Sequence, residues 1–332
     1  MTGERTTTLI VGAGLMGQWH AHAARRAGGL IAGVVDSDSA KAAALAARHR
    51  GSRAFTHTEA ALGALSPNVV HVCTPLETHM GLIRAALAQR CHVIAEKPLA
   101  PTAAETDELL ALAAATSRIL VPVHQFAFQR GALQLGARLP SLGRIVHVEA
   151  GTATAGASRP GGPEPDAVVA EILPHFLSLT RRLLSANVAA LPWSLTAPSA
   201  GDWRVSTVCG PSTVSIFVST SARPTFAELR VLGARGSARL DLFHGFAVFE
   251  PGDVSREAKI SRPFAVAART LVTATANLAR RSLSAEPAYP GLNELVARAY
   301  AAIAGAGDVP ITPAETLDVA LARDRITALT RA

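Results

Sequence analysis

Three features of this 332-residue chain have the residue types and spacing that chemistry needs: a glycine loop, GAGLMG at residues 12–17, an acid at Asp36 and a lysine at Lys97. The loop follows the apolar run TTLIVG (7–12) and opens the amphipathic run QWHAHAARRA. A second apolar run, LIAGVVD (30–36), delivers Asp36 19 residues after Gly17. Strand, glycine turn, helix, strand and acid in this order are the pattern of a dinucleotide site. Gly12 permits the tight turn, Gly14 lets the backbone approach a pyrophosphate, and Gly17 lets the helix pack on the strand. The helix N-terminus, with Ala13, Leu15 and Met16 between the glycines, supplies N–H donors and partial positive charge. Asp36 is placed to accept hydrogen bonds from ribose hydroxyls. Ser37 stands where an arginine would meet a 2′-phosphate, and Asp38 adds negative charge, so the reading prefers NAD(H) and keeps NADP(H) as the second choice.

Lys97 stands out against the composition. Of 32 basic residues only Lys41, Lys97 and Lys259 are lysines; the rest are arginines. A lysine kept in such a chain offers a compact ammonium that a planar guanidinium cannot replace. Lys97 ends the run HVIAEKP (92–98), and the carboxyl end of a strand in a doubly wound sheet faces the ligand crevice. An ammonium there polarises a carbonyl or holds an alkoxide.

These residues need a scaffold, and the hydrophobic pattern describes one. Apolar runs at 7–12, 30–36, 68–75, 92–98 and 119–124 alternate with helical runs, including 78–89 and 102–115, which predicts a parallel doubly wound sheet. After residue 125 the pattern changes. A helix is predicted over 166–184, followed by STVSIFVST, FAELRVLG and GSARLDLF with period-two alternation, the pattern of an antiparallel sheet. In the first of these, Val214, Ile216 and Val218 point one way and Thr213, Ser215 and Ser219 the other. Helices near 264–281 and 291–305 and a last one after Thr312 close the chain. The fold class is α/β: a Rossmann domain over 1–124, then an α/β domain with an open, mainly antiparallel sheet over 125–332, the C-terminal helix being free to pack back on the first. The segment GASRPGGPEPD (156–166) reads as a mobile loop, and its Arg159 is a candidate for meeting an anionic group.

Composition excludes several classes. At 49% hydrophobic and 17% charged, with no uncharged run of membrane-spanning length, the chain is a globular protein without a membrane partner. The start of the chain lacks an export signal, which places it in the cytoplasm. Cys73, Cys91 and Cys209 are odd in number and widely spaced, so neither disulfides nor a metal site is expected. The net charge of +7 is scattered rather than gathered in a stripe, which argues against nucleic acid. An open sheet face in the second domain predicts a homodimer or homotetramer built through that sheet.

The order GAGLMG, Asp36, CTPLETH (73–79) and AEKPLA (95–100) resembles the Gfo/Idh/MocA oxidoreductases, the family of glucose-fructose oxidoreductase and inositol dehydrogenase. The resemblance covers the first 125 residues, with EKP its most specific element. It implies that Lys97 sits near the nicotinamide and the reacting oxygen, that Glu96 contacts the cofactor or orients Lys97, and that Cys73, Thr74, Pro75 and His79 line the nicotinamide ribose. Helix packing is the alternative for His79. It also implies that His124 and Gln125 approach the ligands, Gln125 on the cofactor side.

The family's second catalytic element, Asp-x-x-x-His, corresponds to Glu171 and His175 in AEILPHFLSLTRRLL, one helical turn apart. This chain departs from that pattern with Glu for Asp, Pro174 before the histidine, and Ser178 where a later Asp is usual. His175 is then the general acid/base and Glu171 its assistant. The implied activity is hydride transfer between NAD(H) and a hydroxyl or ketone carbon of a sugar, cyclitol or nucleotide sugar. Two other readings fit the same residues: an imine or tetrapyrrole-type reductase or redox-assisted lyase, and a silent dinucleotide sensor. Trp19 and His20, one turn into the first helix, are assigned to packing.

Overall fold

The computed structural model describes residues 6–155, 163–286 and 288–331. The chain divides into two compact units, one holding the described residues up to Val123 together with Leu292–Ala320, the other His124–Gly291 and the residues from Leu321.

In the first unit β1 (Thr7–Val11), α1 (Leu15–Arg26), β2 (Leu30–Val35), α2 (Ser39–Ala46), β3 (Arg53–Phe55), α3 (Thr58–Leu65), β4 (Val69–Val72), α4 (His79–Ala88), β5 (His92–Ala95), α5 (Ala103–Ala115) and β6 (Leu120–Pro122) follow one another. The strands form a six-stranded parallel sheet in the order β3-β2-β1-β4-β5-β6. Helices cover both faces of such a sheet, so its central strands are continuous apolar runs; Leu9, Val70, Val72 and Val93 are fully buried. The expected strand at 7–12 ends at Val11, and those at 68–75, 92–98 and 119–124 end at Val72, Ala95 and Pro122. The residues left over, Gly12, Cys73–Pro75 and Glu96–Pro98, are the turns at the carboxyl edge of the sheet, the edge at which sheets of this kind bind ligands as a rule. The short pair β3 and α3 carries too little periodicity to be read from sequence.

In the second unit α6 (Arg130–Arg138) precedes β7 (Ile145–Ala153), α7 (Pro165–Leu184), β8 (Ser194–Ser199), β9 (Asp202–Cys209), β10 (Ser212–Ser219), β11 (Phe226–Gly233), β12 (Gly236–Asp241), β13 (Phe246–Pro251) and α8 (Arg256–Leu283). The seven strands run β13-β12-β11-β7-β10-β9-β8, antiparallel except for the β7–β10 pair. Val214, Ile216 and Val218 are buried as their alternation predicts. Ser219 is not on an exposed face: it is buried, and its hydroxyl donates to Asp202 Oδ1 at 2.5 Å. The edge strand β8, SLTAPS, has almost no buried positions and hence no readable alternation. α8 starts eight residues before the expected helix because Ser255 caps it, accepting the Ala258 N–H.

The chain then returns to the first unit. α9 (Leu292–Ile303) packs against α1, and α10 (Pro313–Ala328) follows. Among the described residues no helix is long and apolar enough to cross a membrane, and no cluster of metal-ligating side chains is found.

Candidate cofactor and catalytic site

The glycine loop is shaped by two close approaches. Gly12 has φ +95°, and a Cβ on it would lie 2.6 Å from the Cys73 carbonyl oxygen, so only glycine lets the turn after β4 pack against the turn after β1. A Cβ on Gly17 would lie 1.8 Å from the carbonyl oxygen of Gly12. Gly14 is different: a Cβ there would meet nothing within 4 Å. It begins α1, which has no side-chain cap, and Leu15 beside it is 62% exposed while Met16 is half-buried. Open space in front of uncapped helical N–H groups is the requirement for a phosphate, so the loop fits a dinucleotide.

Asp36 closes the loop from the other side. Its Oδ2 accepts the Ala13 N–H at 2.7 Å and its Oδ1 accepts the Asp38 N–H at 2.9 Å. Ala13 therefore spends its N–H on Asp36 rather than on a phosphate, and its place in the site is to hold the acid. Each carboxylate oxygen keeps lone pairs for further donors. Ser37 is exposed, and Asp38 caps α2 by accepting the Ala40 and Lys41 N–H groups.

At the end of β5, Glu96 donates its N–H to Val72 O, and its side chain is 13% exposed. The carboxylate turns inward. Oε1 lies 3.1 Å from His20 Nε2, and Oε2 accepts the Lys97 N–H at 3.4 Å. Burial alone would raise the Glu96 carboxyl; the His20 hydrogen bond and the His20 and Lys97 charges outweigh it and hold the group below its ordinary value. Burial, and then the Glu96 charge, push the Cys73 thiol well up. Lys97 itself is half-buried, and the Lys97–Pro98 peptide bond is cis.

Thr74 Oγ1 accepts from the Thr78 hydroxyl at 2.8 Å, and Pro75 is exposed. His79 turns its ring to two backbone carbonyls. It is buried, with Nδ1 2.9 Å from Pro98 O and Nε2 2.9 Å from Thr74 O. His79 is a strut that ties the turn after β4 to the turn after β5.

In the second unit His175 is buried on α7, with Phe126 stacked on it at 4.5 Å between ring centroids and His124 edge-on at 6.0 Å. Glu171 is exposed one turn earlier. The Gln125 Oε1 is buried without a hydrogen-bond partner among the described residues, in a side chain only 8% exposed. A buried acceptor left over in this way is able to take a further donor. Ser178 is fully buried, and Trp203 belongs to the core, its Nε1 donating to Asp166 at 2.9 Å. Trp193 is half-buried, with Nε1 bonded to Val188 O. Arg159 lies outside the described residues. Sequence reasoning missed His20 as a partner of Glu96; its place one turn into α1, facing the sheet, was the available signal.

A six-stranded parallel sheet with this loop, followed by a seven-stranded mixed sheet, defines a two-unit α/β protein whose first part is a dinucleotide-binding Rossmann fold. Residues 6–124 match the Gfo/Idh/MocA model, described as an oxidoreductase family with an NAD-binding Rossmann fold. The match is confined to this first domain. It is 37% identical over 123 residues to an inositol 2-dehydrogenase of Leifsonia xyli, a stretch that spans 36% of this chain and 35% of that relative. Among solved structures it is similar to a UDP-N-acetylglucosamine 3-dehydrogenase of Acidithiobacillus ferrooxidans, with a TM-score of 0.75 at 20% identity over 98% of both chains. It is also similar to a Bordetella pertussis dehydrogenase in complex with NADH and UDP-GlcNAcA, with a TM-score of 0.75 at 15% identity over 100% of this chain and 96% of that one.

Proposed function

We propose that this protein is an NAD(H)-dependent dehydrogenase that interconverts a secondary hydroxyl and a ketone on a sugar, cyclitol or nucleotide sugar. The observation that carries the reading is the carboxyl edge of the first sheet, where an uncapped glycine loop, Asp36 and Lys97 occur together. The curated relative named an inositol dehydrogenase and the structural neighbours named sugar-nucleotide dehydrogenases support the substrate class. The altered acid pattern at Glu171 and Ser178, with the basic balance of the chain, favours a phosphorylated or nucleotide-linked sugar over a common free one.

NAD supplies the hydride acceptor when bound. The N–H groups of Leu15 and Met16 and the open side of Gly14 would hold its pyrophosphate, and the free lone pairs of Asp36 its ribose hydroxyls. An acid there, with Ser37 and Asp38 rather than an arginine behind it, prefers NAD(H) to NADP(H). Cys73, Thr74 and Pro75 would border the nicotinamide end, and Gln125 Oε1 would accept from an amide or hydroxyl. Lys97 stabilises the oxygen as it becomes a carbonyl or alkoxide. In the second unit His175 is the candidate to take up the hydroxyl proton, with Glu171 assisting.

We also read the second unit as self-associating. Ile260, Phe264, Leu271 and Leu278 are exposed on α8 at spacings of four and seven, a row that a second copy of the chain would cover. Light scattering on purified protein tests this, and a monomer at working concentration contradicts it.

The functional test is a fluorescence titration with NADH and with NADPH, followed by NAD reduction assays on inositol, glucosides and UDP-N-acetylglucosamine. Tighter NADH binding and turnover of one of these classes are expected. Failure to bind either nucleotide overturns the reading.

A further inference from the structure

Behind Glu96 a buried line of hydrogen bonds crosses the first unit. Glu96 Oε1 faces His20 Nε2 at 3.1 Å, His20 Nδ1 faces His71 Nδ1 at 2.9 Å, and His71 Nε2 faces the Tyr300 hydroxyl at 3.1 Å. Tyr300 OH in turn shares a 2.7 Å bond with Thr8 Oγ1. His20 comes from α1, His71 from β4, Tyr300 from α9 and Thr8 from β1, and all four are buried. The returning segment after Leu292 thus places a tyrosine hydroxyl against two buried polar side chains of the sheet, Thr8 and His71.

Every contact in a buried line needs one hydrogen, and here that condition leaves two arrangements. Burial, and then the charge of His20, hold His71 well below the ordinary histidine range, so it is neutral and carries one N–H. With that hydrogen on Nδ1, Thr8 donates to Tyr300, Tyr300 to His71, His71 to His20, and His20 Nε2–H to the Glu96 carboxylate. With the hydrogen on Nε2, every arrow reverses: His20 donates to His71, His71 to Tyr300, Tyr300 to Thr8, and Thr8 Oγ1 to the Thr6 carbonyl at 3.5 Å. The second arrangement holds one proton more, shared by Glu96 and His20.

We propose that the Glu96–His20 pair carries one exchangeable proton, and that His20, His71 and Tyr300 are positioning residues that couple its uptake to the direction of the whole line and so to the carboxylate beside Lys97. The importance of this for catalysis rests on the dehydrogenase reading, in which Lys97 acts on the substrate oxygen. The titratable groups facing the pair are Lys97 and Cys73 from the turns at the sheet edge, His71 from β4 and Tyr300 from α9. Burial drives the Cys73 thiol and the Tyr300 phenol up, so both stay neutral and the proton is left to the pair.

The test is long-range proton–nitrogen NMR of the histidine rings in the full-length protein, recorded across the range where histidine titrates. The expected result is a single transition in which His20 gains a proton and His71 moves its hydrogen from Nδ1 to Nε2 together. His71→Leu removes the acceptor of the His20 Nδ1–H, so the pair should release its proton at a pH lower by about one unit. Tyr300→Phe keeps the aromatic ring and still shifts the midpoint, which preserves the test if His71→Leu does not fold. Independent behaviour of the two rings, or a midpoint unmoved by the variants, overturns the proposal. Neither readout needs a substrate or NAD, so a wild-type protein that fails to bind NADH overturns the dehydrogenase reading and leaves this one standing.

Discussion

The backbone N–H of Ala13 donates to Asp36 Oδ2 at 2.7 Å, which fastens the glycine loop to the end of β2. One carboxylate therefore shapes the loop, and the proposed site gives it the ribose hydroxyls as well. Asp36→Asn keeps an oxygen for Ala13 but loses the charge. NADH affinity should fall about tenfold, roughly 1.4 kcal/mol, while NADPH loses less, so the ratio of the two dissociation constants moves towards NADPH. An unchanged ratio in parallel fluorescence titrations contradicts the role given to Asp36.

The three glycines separate architecture from ligand binding. Gly14→Ala adds a methyl into open space, so the folded protein should melt as wild type does while NADH affinity drops about tenfold or more. Gly17→Ala forces a methyl to within 1.8 Å of the Gly12 oxygen and should destabilise the first unit outright. Equal behaviour of the two variants in thermal melts and titrations would remove Gly14 from the pyrophosphate site.

Acid sensitivity is built into β5. His92 Nδ1 accepts the Ile119 N–H at 3.0 Å, and burial, helped by the Arg118 charge, lowers its pKa from 6.5 to about 4. The folded state binds fewer protons here than the unfolded state between those values. The His92 contribution to stability is thus complete above pH 6.5 and lost as the pH falls towards about 4. Melting temperatures measured through that window should fall less steeply in His92→Asn than in wild type, and identical slopes would count against the assignment.

Much of the first unit was legible because each signal was local. A glycine loop between a strand and a helix, an acid at the end of the next strand and EKP after β5 all lie in short segments whose spacing fixes their geometry. The line from Glu96 to Thr8 was not, since its members are separated by up to 292 residues and only tertiary packing brings Tyr300 to His71 and Thr8. His79 shows the same limit: its place in CTPLETH suggests a ligand contact, whereas its two carbonyl partners come from Thr74 and from Pro98, a turn away in the sheet. In the second unit the alternation of Val214, Ile216 and Val218 announced β10. β9 was open to the same reading through Trp203, Val205 and Thr207, and β8 was not, having no buried face.

The central claim is that Lys97 acts on the reacting oxygen of an NAD-dependent dehydrogenase. The most direct measurement is the turnover number of Lys97→Ala beside its NADH dissociation constant, on the substrate class that wild type oxidises. A loss of about 10²- to 10³-fold in turnover with NADH affinity nearly unchanged is the predicted result. Turnover equal to wild type, in a variant that folds and binds NADH, would contradict it.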